Sequence, residues 1–230
     1  MPYKATPPPR RMMAVAKSLK LREQAYTSFT ERLLAREIEP GQFVTQRELV
    51  GITGMPLGAI RELIPRLEAE GLISTVPQRG IRIAEVDLNL IRDAFQLRML
   101  LEREAAAYFV LHAPDSEMQR LRAAHEAVLQ EAGKRITRKL VVRAQATDWD
   151  LHDTIIDFMD NAIISGTYRV NSLKIRLIRQ KQTRIHESLV IPVMREHLAV
   201  ITAFESRDPV RAAAALAEHI ASARQRAMRL

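Results

Sequence analysis

The sequence predicts a mainly α protein: an N-terminal winged helix–turn–helix followed by a C-terminal all-α antiparallel helical bundle. Three observations carry this. Six of the eight glycines fall between residues 41 and 80, which marks a short turn-rich module. No proline occurs between Pro114 and Pro192, and apolar residues recur at helical spacing from Asp87 almost to Leu230, which marks a long helical body. Lys and Arg total 35 against 27 Asp and Glu, a net charge of +8 that favours an anionic partner, nucleic acid first and an acidic membrane surface second. With 230 residues the chain suits one large domain or two modest ones, and at 47% hydrophobic it can bury a real core.

The chain has no cysteine. That excludes disulfide scaffolds, thiolate zinc fingers, iron–sulfur clusters and cysteine nucleophiles, and it fits a reducing compartment. No apolar run approaches the ~18–20 residues that span a bilayer. The N-terminus lacks the continuous apolar stretch of a secretion signal, so a cytoplasmic protein with no membrane partner is expected.

Residues 1–17 hold Pro7-Pro8-Pro9-Arg10-Arg11 and are expected to form a basic, Pro-rich, disordered tail able to touch phosphate. Residues 18–84 form the module. A first helix is expected over 19–37, with Leu21, Ala25, Phe29 and Leu33 at four-residue steps, stopped by Glu39-Pro40-Gly41. Thr45-Gln46-Arg47-Glu48 has the spacing of a capping box, opening a short helix that ends at the Thr53-Gly54 turn. A third helix carries Ile60, Leu63, Ile64 and Leu67 before Gly71. Leu72–Val76 and Ile81–Ala84 read as two strands of a hairpin joined by Pro77-Gln78-Arg79-Gly80.

This order suits DNA. The second helix of the helix–turn–helix can lie in a major groove, where base edges are distinguishable, while phosphate contacts fix its register. A Gly-tipped wing with Arg79 can approach a backbone or minor groove closely. Residues 1–84 carry a net +5 against +3 for the longer remainder, so positive charge is denser in the module. Such tri-helical modules also mediate protein contacts, and pattern alone leaves that reading open.

Pro40-Gly41-Gln42-Phe43-Val44-Thr45-Gln46-Arg47-Glu48-Leu49, Ile60-Arg61-Glu62-Leu63, Arg66-Leu67-Glu68-Ala69-Glu70-Gly71-Leu72-Ile73 and Arg79-Gly80 together resemble the GntR family of bacterial transcription regulators. The resemblance implies a homodimer on a short pseudo-palindromic double-stranded operator. Arg47 and Arg61 match arginines that contact DNA in that family, and Gly80 matches its wing glycine. Two positions depart from the pattern. Pro56-Leu57-Gly58 stands where the family has a Ser/Thr-Arg pair, and Leu57 cannot donate to phosphate or guanine. Pro65 sits inside the third helix and should bend it. Arg61, Arg66 and the basic tail are candidates to make up the missing contact.

Residues 85–230 are expected to fold as six helices, about 87–111, 115–132, 136–159, 162–186, 191–206 and 208–229. Their number and length resemble the FCD-type effector domain of FadR/VanR-like regulators, in its six-helix VanR form. All six histidines lie here. Asp148 and His152 are four apart, which places a carboxylate and an imidazole one helical turn apart on one face. A surface ion pair explains that spacing equally well. FCD domains carry a metal site of one Asp and three His, and the resemblance maps it onto Asp148, His152, His197 and His219. Such a set suits a borderline divalent ion, zinc foremost, with nickel or manganese as alternatives. His112, His125 and His186 lack partners at ligand spacing and are expected at the surface.

Arg98 resembles the first-helix arginine of FCD domains that helps hold an effector carboxylate, a task suited to a planar guanidinium. A surface Arg98–Glu102 pair is the competing reading. The expected function is a transcription regulator, not an enzyme, acting as a repressor controlled by a small carboxylate-bearing effector. Its rivals are a metal-dependent hydrolase, for which Asp150 or Asp153 would be the base, and a direct metal sensor.

Overall fold

The computed structural model describes residues 10–182 and 185–228, in two compact units that divide between Val86 and Asp87. The first unit contains α1 (Arg10–Leu34), β1 (Phe43–Val44), α2 (Gln46–Thr53), α3 (Leu57–Ala69), β2 (Ile73–Val76) and β3 (Gly80–Ile83). Helix α1 starts inside the stretch expected to be a loose tail. Residues 10–17 are helical, because Arg, Met, Ala and Lys are good helix formers and no proline follows Pro9 in this stretch. The rest of the expected tail, residues 1–9, lies outside the described residues.

Helix α1 packs on α3, and Ala25, Phe29 and Leu33 of the first and Ile60, Leu63 and Leu67 of the second are buried. The capping box forms: the Glu48 amide donates to Thr45 Oγ1 at 3.1 Å, and the Thr45 amide donates to Glu48 Oε2 at 2.7 Å. Gly54 ends α2 with φ 69°, a left-handed conformation that glycine adopts without strain. Helix α3 continues through Pro65, which removes the one intrahelical bond that the Arg61 carbonyl would accept.

The sheet has three strands where a two-stranded hairpin was expected, in the order β1-β3-β2. Phe43 pairs with Arg82 and Val44 with Ile81, both antiparallel. A two-residue strand is too short to show alternation in sequence, so β1 left no signal. At the wing tip Gly80 has φ 97°, and a Cβ there would lie 3.0 Å from the Val44 carbonyl oxygen.

The second unit contains α4 (Leu88–His112), α5 (Asp115–Ala132), α6 (Arg138–Asp157), α7 (Ala162–Gln182), α8 (Glu187–Glu205) and α9 (Pro209–Met228). Asp87 caps α4 by accepting the Leu90 amide, and Thr137 caps α6 by accepting that of Leu140. Asp208 accepts the amides of Val210 and Arg211, with Pro209 as the first helical residue. Helix α8 begins at Glu187, earlier than expected, and runs through Pro192. The proline falls in the second turn, where it costs only the bond to the Ser188 carbonyl.

Helix α4 packs most extensively on α9, and α5 on α8. Val128, Leu140, Val193 and Met194 belong to one aliphatic cluster, and Phe109 meets Phe158 edge-on and Phe204 at a tilt elsewhere. Set into this apolar bundle are seven buried polar residues that the site depends on: Arg98, Glu102, His125, Asp148, His152, His197 and His219.

The capping box makes a local prediction. Thr45→Ala should destabilise the first unit by about 1 kcal/mol, and Thr45→Ser should recover most of that. Urea unfolding followed by circular dichroism measures it, and an unchanged midpoint for Thr45→Ala would refute the assignment.

Candidate metal centre

Helix α6 presents Asp148 and His152 one turn apart, both at 0% exposure. Helix α8 adds His197 and α9 adds His219, also buried. One ligand atom from each of the four lies within 4.8 Å of the others. His197 Nε2 is 3.1 Å from His219 Nε2 and 3.5 Å from Asp148 Oδ1. The four residues assigned to a metal by resemblance are thus brought together, and the surface-pair reading of Asp148 and His152 is corrected by their burial. Asp148 is anchored by Gln145, whose Nε2 donates to Oδ2 at 3.1 Å, while Gln145 Oε1 accepts the Ile185 amide at 3.2 Å.

The outer nitrogen of each imidazole has its own neighbour. His219 Nδ1 lies 3.0 Å from Glu196 Oε2, and Arg226 grips the same carboxylate with both terminal nitrogens. A carboxylate only accepts, so His219 carries its proton on Nδ1 and turns a lone pair inward at Nε2. His197 Nδ1 lies 3.0 Å from His125 Nε2. His152 Nδ1 is 2.8 Å from Glu102 Oε2, close but poorly aligned for a hydrogen bond. Metal-binding histidines are commonly oriented in this way through the nitrogen that faces away from the ion.

Electrostatics agree with neutral His219 and His125 rings and ionised Glu102 and Glu196. Burial pushes His219 down to about 4 and also lowers His125. Burial by itself would raise Glu102, but Arg98 and His152 outweigh it and hold the carboxyl down to about 2. Glu196 is likewise held at about 2, its burial outweighed by His219 and Arg226. With their Nδ1 atoms engaged outward, His197 Nε2 and His219 Nε2 face each other at 3.1 Å. The donor set of three imidazoles and one carboxylate fits a divalent cation.

Arg98 and Glu102 do pair, through Nε and Oε1 at 2.7 Å, but in the core with side-chain exposures of 3% and 0%. The surface version of that pair is therefore wrong. Arg98 Nη2 also reaches His152 Nε2 at 2.7 Å. Its Nη1 has no hydrogen-bond partner, and neither does the buried Ser172 Oγ. Both residues line a narrow crevice together with Trp149, Tyr168 and Asn171.

His125 overturns the expectation of a surface position. It is fully buried, because Met118, Leu121, Val128 and Ala132 share its face of α5. That apolar spacing was visible in the sequence and could have found it. Glu196, directly before His197, was also missed as a supporting residue. His112 and His186 are exposed; the former stacks on Tyr108 at 4.1 Å. Asp150 and Asp153, the candidate bases of a hydrolase, pair with Arg120 and with Arg169 and Arg176.

In the first unit Arg47, Arg61 and Arg79 are exposed. Arg61 Nε is 3.4 Å from Gln46 Oε1, and Arg79 stacks 4.5 Å above the Phe43 ring. Arg66 pairs with Glu70 at 3.0 Å at the end of its own helix, and it pairs with Glu23 at 2.8 Å and lies 3.7 Å above Tyr26, which links α3 to α1. Leu57 opens α3 half-exposed behind Pro56, which offers no side-chain cap.

The sequence profile for bacterial regulatory proteins of the gntR family matches residues 21–83, and that for the FCD domain matches residues 93–222. The chain belongs to the GntR family. This GntR-family protein is 27% identical to the transcriptional regulator BphR of Paraburkholderia xenovorans over 72% of its own length and 68% of that protein. It is 25% identical to the Nta operon transcriptional regulator of Aminobacter aminovorans, over 79% and 82% of the two chains. Among solved structures, a GntR regulator from Rhodococcus superposes with a TM-score of 0.69 at 11% identity, covering 93% and 98% of the two chains. The Escherichia coli protein McbR/YncC gives 0.65 at 17% identity, covering 89% and 93%. The GntR-family chain is a DNA-binding transcriptional regulator with an FCD effector domain, and these relatives are regulators rather than enzymes. No described helix is long and apolar enough to cross a membrane.

The depressed His219 value has a stability consequence. A buried imidazole whose folded value lies near 4 and unfolded value near 6.5 takes up its proton more readily when unfolded. Its contribution is complete above pH 6.5 and is lost as pH falls toward 4, on the order of 3 kcal/mol in all. Glu102 and Glu196 hold their contributions down to about 4.5 and lose them toward 2. Urea titrations of chelator-treated protein between pH 7 and 4 should show this decline; a flat profile would contradict it.

Proposed function

We propose that this regulator is a homodimeric repressor whose hold on a pseudo-palindromic operator is set by a small organic acid bound beside a divalent ion, zinc foremost. The observation that carries the reading is the buried convergence of one ligand atom from each of three imidazoles with Asp148, next to a narrow space lined by Arg98 and Ser172, whose Nη1 and Oγ have no hydrogen-bond partner. When bound, the ion supplies a Lewis-acidic anchor for an anionic ligand. Asp148, His152, His197 and His219 hold it, and Arg98 receives the ligand carboxylate.

The crevice is too narrow to centre a water molecule, so admitting an acid requires its lining side chains to move. Arg98 is the one with most to exchange. A carboxylate that takes its guanidinium replaces the contacts to His152 and Glu102, which shifts the packing of α4. Only a ligand with unequal affinity for the two arrangements changes operator binding. A repressor role is supported by the 22% identical repressor RspR of Escherichia coli, aligned over 86% of this chain and 85% of that one. Arg47, Arg61, Arg79 and Gly80 are assigned to the DNA face, and Arg66 to holding α3 in place for it. We place the protein in the cytoplasm, where its DNA partner is.

Operator binding by fluorescence anisotropy, with and without chelator and a panel of small carboxylic acids, tests the effector reading. One or more acids should weaken binding at least tenfold in the metal-loaded protein. Arg98→Lys, which keeps the charge but loses the planar fork, should blunt that response. A panel with no effect on affinity would sink the reading, and affinity that follows free metal alone would replace it with a metal sensor. Arg61→Ala should cost about 1–3 kcal/mol of operator affinity, and wild-type binding by that variant would remove Arg61 from the DNA face.

A further inference from the structure

His125 is buried and lies outside the four-residue ligand set, beside His197. We propose that His125 is a positioning residue that locks His197 in its Nδ1–H tautomer and so keeps the His197 Nε2 electron pair turned toward Asp148 and His219. The inference rests on the metal reading above and assigns to it a residue outside the ligand set.

One chain of hydrogen bonds fixes the tautomer. His125 Nδ1 lies 2.7 Å from the Leu121 carbonyl oxygen. A carbonyl only accepts, so His125 carries its proton on Nδ1 and its Nε2 is an acceptor. His197 Nδ1 lies 3.0 Å from that acceptor and must therefore be the donor. His197 Nε2 is then the unprotonated nitrogen of that ring.

Without His125 the balance reverses. The inward His197 Nε2 already lies 3.5 Å from Asp148 Oδ1 and 3.1 Å from His219 Nε2, two acceptors that would welcome a proton. A neutral His197 would gain by protonating at Nε2 and donating to one of them, with Nδ1 left to accept. That tautomer fills the centre with a proton where a cation needs an electron pair. With His125 present the same tautomer would face one lone pair with another at 3.0 Å, which is repulsive.

His125 also differs from the other two supports. His152 and His219 face the carboxylates Glu102 and Glu196, whereas His197 faces a neutral ring whose own proton goes to a main-chain carbonyl. The lock on His197 is thus a matter of hydrogen-bond direction, with no charge on the supporting group.

The test uses the full-length protein. His125→Phe fills the volume but cannot accept; His125→Gln places an amide oxygen where the ring Nε2 stood. Chelator competition with Co²⁺ should show His125→Phe binding about 10–100-fold more weakly, and His125→Gln restored to within a few-fold of wild type. Imidazole ¹⁵N spectra of the metal-free proteins should show His197 protonated at Nδ1 in wild type and His125→Gln, and at Nε2 in His125→Phe. A role in packing alone moves none of these spectra. Unchanged Co²⁺ affinity in His125→Phe, or His125→Gln as weak as His125→Phe, overturns the proposal. If His125→Phe fails to fold, the wild-type spectrum decides, since a proton on His197 Nε2 there is fatal. Wild-type protein that takes up no Co²⁺ overturns the metal reading instead, while the spectra still judge the tautomer lock.

Discussion

The second unit depends on how three imidazoles and several charges are buried together. An ionised group in an apolar interior is costly unless paired and hydrogen-bonded. Here Arg98 meets Glu102, and Arg226 meets Glu196, so each buried or half-buried carboxylate supporting an imidazole has a guanidinium of its own. The pairs do two things at once. They keep the carboxylates ionised, and ionised carboxylates fix the outer proton of an imidazole. Five helices, α4, α5, α6, α8 and α9, each contribute at least one side chain to this cluster, so its geometry and the bundle's packing are one problem. Replacing the set by leucines would make a bundle that is easier to fold and has nothing to bind with.

The first unit solves a different problem, that of stiffening a small module with little core. The capping box sets the start of α2, β3 ties the wing back to β1, and Arg66 joins α3 to α1 through the Glu23 carboxylate and the Tyr26 ring. Exposed pairs of this kind are individually weak. Arg66 is partly buried and stacked, which makes its loss a packing loss as well as a charge loss.

Much of this was legible in the sequence, and the failures have physical causes. The order of elements in the module followed from punctuation by Gly, Pro and a capping box. The metal candidates were found by resemblance, because an Asp and a His four apart on a helix do not by themselves say whether their face is wet or dry. Arg98 and Glu102 show the same blindness: their spacing announces a pair without revealing that it is buried. His125 has no histidine at ligand spacing in sequence, which suggests a surface position, while the apolar residues around it on α5 mark its face as the inner one. The helical start of α1, the early start of α8 and the two-residue β1 are boundary effects, settled by tertiary contacts and by bonds too few to leave a pattern.

Gln145 has a mechanical consequence. One side-chain amide clasps the Asp148 carboxylate with its nitrogen and the Ile185 main chain with its oxygen. The start of the approach to α8 is therefore coupled to the acidic ligand like two ends of a short rod. Neither end can be displaced by an ångström without the other following or a hydrogen bond worth about 1 kcal/mol being given up.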